Sequence, residues 1–160
     1  MNNTKDSCSC DVCKSFCKNR VGWFLPGEPE KVAEFLEITL KELFNKKLGV
    51  DWWVADENIF VIAPAIKSMS PGNEFPANPS GCCIFFNKKG LCDIHPVKPF
   101  ECKKAFHNKS DGCNNIHKDI AKAWENHQKQ IIRLLEREPI AKEFSIFDAF
   151  DCILTQCKEL

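Results

Sequence analysis

The 160-residue sequence predicts one α+β domain, in which three or four helices pack with a small antiparallel sheet or hairpin and cysteine-rich loops bind metal. Apolar residues recur at helical spacing after Pro29, and two runs between 50 and 66 are rich in β-branched and aromatic residues. The eleven cysteines concentrate in turn-rich segments. A chain of this length can bury one core, so a single domain over 1–160 is expected. It divides into a cysteine-rich arm at 1–20, a second cysteine block at 81–113 and C-terminal helices at 114–158.

The arm is polar and too short to form a core of its own. Pro26 and Gly27 then break the chain, and the next segment carries an apolar stripe that predicts a helix over 29–47. Gly49 can end this helix. Its apolar positions are Val32, Phe35, Leu36, Leu40, Leu43 and Phe44.

Two strands are predicted at 50–54 and 59–66, joined by a tight turn. The stretch 67–81 is rich in Pro, Gly, Ser and Asn, which is typical of a loop. A hairpin is predicted next, with strands at 84–86 and 91–94.

Three helices complete the predicted fold. Pro99 can open a short helix that continues to Phe106. A longer helix is predicted over 114–137, where His127 lies on the apolar face and is interpreted as a core residue. A last helix follows Pro139.

Charge and hydropathy exclude several classes of partner. Lysine and arginine number 22, as do aspartate and glutamate, so the net charge is zero and no general field attracts nucleic acid. The first residues lack the apolar run of a signal peptide, and no stretch reaches the ~20 apolar residues of a membrane helix. We therefore expect a cytoplasmic protein that binds neither nucleic acid nor membrane.

Dense cysteine in a cytoplasmic chain indicates metal binding or redox chemistry more often than disulfides. Cys152 and Cys157 lie on the apolar stripe of the last predicted helix and are interpreted as packing residues. The other nine crowd into turn-rich segments, which favours ligands over core thiols. They are Cys8, Cys10, Cys13 and Cys17 in the arm, and Cys82, Cys83, Cys92, Cys102 and Cys113 in the second block.

The arm contains Cys10, Cys13 and Cys17 in a C-x-x-C-x-x-x-C run. Two residues between cysteines let both sulfurs turn back onto one metal centre, a spacing that recurs in zinc sites and in cubane iron–sulfur sites. A zinc knuckle usually repeats its C-x-x-C, and this sequence does not.

The second block brings its cysteines together if the predicted hairpin has one particular register. With Phe86 opposite Leu91, Cys83 lies opposite Ile94 and shares a face of the hairpin with Cys92. A one-residue slip would place the two sulfurs on opposite faces. Cys102 follows in the first turn of the helix opened by Pro99, where backbone N–H groups and the positive helix end stabilise a thiolate.

Both blocks together resemble a known family. The run Cys-x-Phe-Phe from Cys83, followed by Cys-x-Ile-His-Pro-Val-Lys-Pro-Phe-Glu-Cys from Cys92 to Cys102, resembles the YkgJ-like cysteine-cluster family, also described as putative zinc/iron-chelating. Flagellin lysine N-methylases carry a domain of this kind. The resemblance covers 8–18 and 81–113.

The resemblance implies a set of ligands. Its first cysteines match Cys10, Cys13 and Cys17, its downstream cysteines match Cys83, Cys92 and Cys102, and a later one matches Cys113. Lys18 stands where the family doubles its last arm cysteine, so Cys82 or Cys8 could replace the missing thiol. One four-ligand site with spare thiols and two separate sites both remain open. Cys113 and His117 could also share a helix face as a ligand pair, although a solvated His117 is the simpler interpretation.

Three functions follow from these residues. The first is a protein that binds a [4Fe-4S] cluster, with a redox role or a role in a cluster-dependent modification, acting on a protein partner or a small-molecule substrate. The second is a zinc-binding structural or interaction module. A lysine methyltransferase is the third, but the chain has only 7 glycines and no strand, Gly-rich loop and helix for a nucleotide-like cofactor. No catalytic residue can be named from the sequence.

Overall fold

The computed structural model describes residues 11–56, 59–69, 81–104 and 113–135. Helices surround a small antiparallel sheet, so the predicted α+β class is confirmed. The helices are α1 (Asp11–Asn19), α2 (Glu28–Phe35), α3 (Leu40–Lys46), α4 (Phe100–Lys104), α5 (Cys113–Trp124) and α6 (Gln128–Leu134). The strands are β1 (Leu48–Asp56) and β2 (Ile59–Ile66). Short 3₁₀ turns lie at His95–Val97 and Glu125–His127. Among these helices, none is long and apolar enough to cross a membrane.

The two predicted strands are confirmed as β1 and β2, which pair antiparallel from Leu48 opposite Ile66 onwards. Residues 22–24 lie along the other edge of β2. There the Phe24 N–H donates to the Pro64 carbonyl at 3.2 Å, and the Ile66 N–H donates to the Gly22 carbonyl at 3.0 Å. The sheet thus fixes the position of Gly22, which also lies at the candidate site described below.

The predicted single helix over 29–47 is wrong, because the chain forms α2 and α3 with a break between them. Glu37 adopts a left-handed conformation with φ of 56°, which ends α2. Thr39 then caps α3, since its Oγ1 accepts from the Glu42 N–H at 3.1 Å. The start of α3 is indicated in the sequence by Thr-x-x-Glu, the pattern of a capping box, which lies inside the apolar stripe.

The predicted helix over 114–137 is found as α5 and α6, separated by a 3₁₀ turn. The two helices pack on the sheet and bury Ile120, Trp124 and Ile131. The Trp124 indole N–H donates to the Phe24 carbonyl at 2.6 Å, which ties α5 to the edge of the sheet. His127, predicted in the core, is half-buried with its ring edge against Trp124.

The predicted hairpin over 84–94 is wrong in two respects. The segment forms tight turns with a single bridge in place of two strands, and Phe86 lies opposite Cys92 instead of Leu91. Asn87 explains the difference, because its Oδ1 accepts from the N–H groups of Lys89 at 2.9 Å and Leu91 at 3.1 Å. These bonds close a turn that includes Gly90, at a positive φ of 73°.

The remaining predictions fall partly or wholly beyond the described residues. Most of the loop at 67–81, the end of the short helix at Phe106 and the last helix with Cys152 and Cys157 lie outside them.

Candidate metal centre

Helix α1 presents two of the predicted ligands. The arm was expected only as a polar segment, and residues 11–19 are helical, which places Cys13 and Cys17 one turn apart on the same face. The C-terminal carbonyls of α1 have no partner within the helix. The Cys17 carbonyl accepts from the Cys83 N–H at 2.8 Å, and the Asn19 carbonyl accepts from the Gly81 N–H at 3.0 Å. These two bonds join the arm to the second cysteine block.

The turns that follow place Cys83 and Cys92. Cys83 is buried, at 5% exposure, and Cys92 is half-buried. The predicted shared strand face does not apply, because these residues lie in turns without the alternation of a strand. Both nevertheless line the same pocket.

Cys102 reaches the pocket from α4. The Lys103 N–H donates to the Pro99 carbonyl at 3.0 Å, so Pro99 opens this helix as predicted. Gly22 lies directly against the thiol: a Cβ at Gly22 would be 2.2 Å from Cys102 Sγ and 3.1 Å from Pro99 Cγ. Any side chain at position 22 would therefore displace the sulfur.

Five cysteines from α1, the two turns and α4 line one pocket. The apolar part of its wall is Phe16, Ile66, Ile94 and Pro99, and the cationic part is Arg20 and Lys98. The five cysteines are Cys13, Cys17, Cys83, Cys92 and Cys102. The six cysteines whose side chains are described, these five and Cys82, form no disulfide.

The pocket keeps two of its thiols protonated when no metal is bound. Burial raises the pKa of Cys83 to about 12, and negative charge on Cys17 and Cys82 acts in the same direction. Burial also raises the pKa of Cys102 well above its usual value, with further contributions from Glu101, Cys83, Cys17 and Cys92. The thiols are thus close enough to repel one another as thiolates, so the site needs positive charge before several of them can ionise.

These pKa values predict that the metal-free protein loses stability in alkaline solution. An unfolded cysteine ionises near pH 8.5, whereas Cys83 stays protonated to about pH 12, so the unfolded state is favoured increasingly between these values. The slope reaches about 1.4 kcal/mol per pH unit for each such thiol. This slope is measured by urea unfolding of the protein in the presence of chelator and reductant, from pH 7.5 to 10. A Cys83→Ala and Cys102→Ala double variant should give a flatter profile, and equal profiles would contradict the assignment.

Not every predicted ligand is placed at the pocket. Cys82 is half-buried but does not line it, and its thiol points to the Cys83 carbonyl at 3.8 Å. Cys10 lies outside the described residues, and Cys113 begins α5 but its side chain is not described. Across the described ranges, no three His, Cys, Asp or Glu side chains are grouped so that they could hold a single metal ion.

His117 is buried, whereas a solvated position was expected. It is 5% exposed, stacks on Trp53 at 4.4 Å between ring centroids, and meets the edge of Trp23 at 5.6 Å. Its Nε2 lies 3.3 Å from Glu101 Oε1. Its Nδ1 is buried and has no hydrogen-bond partner within the described part of the chain.

Glu101 is a residue that sequence reasoning missed. It is 6% exposed, and its carboxylate accepts from the Trp23 N–H at 3.1 Å. The Arg20 guanidinium contacts the same carboxylate at 3.5 Å. Glu101 precedes Cys102 in the motif, but no local pattern indicates that a glutamate there is buried or that Arg20 approaches it.

Compared with models of known protein families, with curated proteins and with solved structures, the chain has no match. The likeness to the YkgJ-like family therefore rests on the cysteine motifs themselves, and the geometry of the thiol pocket is the basis for inferring function.

Proposed function

We propose that this protein binds an iron–sulfur cluster of the [4Fe-4S] type through cysteines of the thiol pocket, and that it has a redox or cluster-dependent role. The observation that carries the proposal is the meeting of five cysteines, distant in sequence, around one pocket. A cubane cluster uses four cysteine ligands, so the described thiols suffice. The resemblance to an iron- or zinc-chelating family supports the same assignment.

A single zinc ion and a cluster require different spacings of the ligand sulfurs. Zinc binds thiolates at about 2.3 Å, so four sulfurs around it lie only about 3.8 Å apart in a closed tetrahedron. Across the described residues, no three His, Cys, Asp or Glu side chains are grouped so closely, although five cysteines line the pocket.

The chain's own residues prepare this site. Phe16, Ile66 and Ile94 give the pocket an apolar wall, and Arg20 and Lys98 place positive charge in that wall. A bound cluster supplies one-electron transfer, at a potential that the protein sets by charge, hydrogen bonds and solvent exposure. The partner would be a protein or small molecule that exchanges electrons with the site. Such thiol chemistry suits the cytoplasm, which keeps cysteines reduced.

A zinc-binding structural module is the second candidate, favoured by helix α1. None of its residues is buried, so it has little hydrophobic attachment to the core. A metal bound by Cys13 and Cys17 would fix α1 to the turns at 81–94 and contribute its binding energy to folding.

The deciding measurement is the iron, zinc and acid-labile sulfide content after anaerobic purification, with a visible spectrum of the same sample. We expect iron with matching sulfide and a brown chromophore that oxygen bleaches. Stoichiometric zinc in a colourless protein would replace this proposal with the structural module. A protein that binds neither metal, even after anaerobic reconstitution with iron and sulfide, would refute both.

A further inference from the structure

We propose that Arg20 and Glu101 are opposed charges that set the reduction potential of the centre, Arg20 raising it and Glu101 lowering it. This inference rests on the proposed iron–sulfur function. It concerns two side chains that are not ligands and that meet each other next to the thiol pocket.

Glu101 is a buried carboxyl group with partners from several parts of the fold. The carboxylate is buried and accepts from the Trp23 backbone N–H at 3.1 Å and the Arg20 guanidinium at 3.5 Å, and His117 Nε2 lies 3.3 Å from it. It is also adjacent in the chain to Cys102, whose pKa its charge raises. The same charge would oppose the addition of an electron to a cluster bound there.

Arg20 is held as a fixed positive charge. It lines the pocket, its side chain is only 16% exposed, and the guanidinium lies 5.4 Å from the centre of the Phe16 ring. Phe16 belongs to the same helix as Cys13 and Cys17. Arginine keeps its charge at all accessible pH values, so this charge does not depend on a proton equilibrium.

Burial makes these two charges effective. Reduction adds an electron to a cluster that is already anionic with its thiolates, so a nearby cation stabilises the reduced state and a nearby anion destabilises it. Water screens exposed charges strongly and buried charges much less. Lys104 is a natural reference, because it lies two residues from Cys102 on the same helix but is exposed.

The experiment is a potentiometric titration of the cluster-loaded protein, with dithionite as the reductant and redox mediators in solution. One electron passes from the reductant to the cluster, and no covalent bond forms or breaks in the protein. Three variants are compared with wild type: Glu101→Gln, the double variant Glu101→Gln with Arg20→Gln, and Lys104→Gln. The double variant is used because a single loss of Arg20 would leave the buried Glu101 carboxylate without its cationic partner.

We expect Glu101→Gln to raise the equilibrium constant for reduction at least about tenfold, which is about 59 mV for one electron. Adding Arg20→Gln should lower it again by a similar factor, and Lys104→Gln should leave it near wild type. A merely structural role would not produce shifts of opposite sign. Shifts of the same sign, or shifts no larger than that of Lys104→Gln, would overturn the inference.

Whether the wild-type protein binds a cluster at all distinguishes failure of this inference from failure of the proposed function. A wild-type protein that binds no cluster refutes the proposed function itself. If Glu101→Gln alone fails to load, the reduction potential of Arg20→Gln is compared with that of Arg20→Lys, which keeps the positive charge. A lower potential in Arg20→Gln supports the inference, and an equal or higher potential overturns it.

Discussion

We expect replacement of Cys83 or Cys102 with serine to remove nearly all the iron and sulfide that the proposed centre would bind. The expected loss of metal affinity is more than about 100-fold, which exceeds the typical effect of losing an outer-shell partner. Both residues line the pocket, and their electrostatic neighbours include other cysteines, with Glu101 also acting on Cys102. A serine hydroxyl is a much weaker ligand for iron than a thiolate. Metal and sulfide analysis of anaerobically reconstituted protein measures the effect.

The matched control for this prediction is Cys82→Ser. Cys82 directly precedes Cys83 in sequence but does not line the pocket, so its replacement should leave iron and sulfide content unchanged. If Cys82→Ser removed the metal and Cys83→Ser did not, the ligand would be the neighbouring thiol and the pocket geometry would be wrong in this turn.

Gly22→Ala should weaken metal binding about 10- to 100-fold, comparable with loss of an outer-shell partner. The new methyl group would lie 2.2 Å from Cys102 Sγ, so the thiol must rotate out of its present position. The contact at 3.1 Å with Pro99 Cγ adds a smaller strain. Because the sulfur ends a short side chain that can turn, the fold itself should lose only about 1–3 kcal/mol, as for other overpacked sites.

A double-mutant cycle separates these two effects. In a Cys102→Ala background, Gly22→Ala should cause no further loss of metal binding, because the displaced sulfur is already absent. Urea unfolding of the metal-free proteins then reports the strain alone. Undiminished metal binding in the single variant would show that Cys102 is not a ligand in the position observed.

The parts of the fold that were predicted correctly depend on residues close to one another in the sequence. The strands β1 and β2 follow from runs of β-branched and aromatic side chains, and their pairing is confirmed. The break between α2 and α3 was also present as Thr-x-x-Glu at Thr39, but the continuous apolar stripe on both sides favoured one helix. The hairpin register was wrong because one side chain, Asn87, closes the turn with hydrogen bonds that strand periodicity does not indicate.

At the candidate site too, residues in local sequence motifs were predicted, whereas residues that matter through long-range contacts were not. Five of the predicted cysteines line one pocket. Of the local geometry expected around them, only the short helix after Pro99 is found, since the arm is helical and Cys83 and Cys92 lie in turns. Arg20, Gly22 and Glu101 were missed. Their importance comes from contacts between segments about 80 residues apart, which no single stretch of sequence reveals.

The hydrogen bond from the Cys83 N–H to the Cys17 carbonyl has a consequence for how the centre is filled. In a metal-free protein that keeps this bond, the two cysteine blocks are joined through the backbone, so Cys17 and Cys83 are preorganised and the entropic cost of closing the long intervening loop is met during folding. Iron and sulfide would then enter a folded protein with part of its ligand set in place. Loading should follow the rate of delivery and thiol deprotonation, without a slow phase in which the chain itself folds.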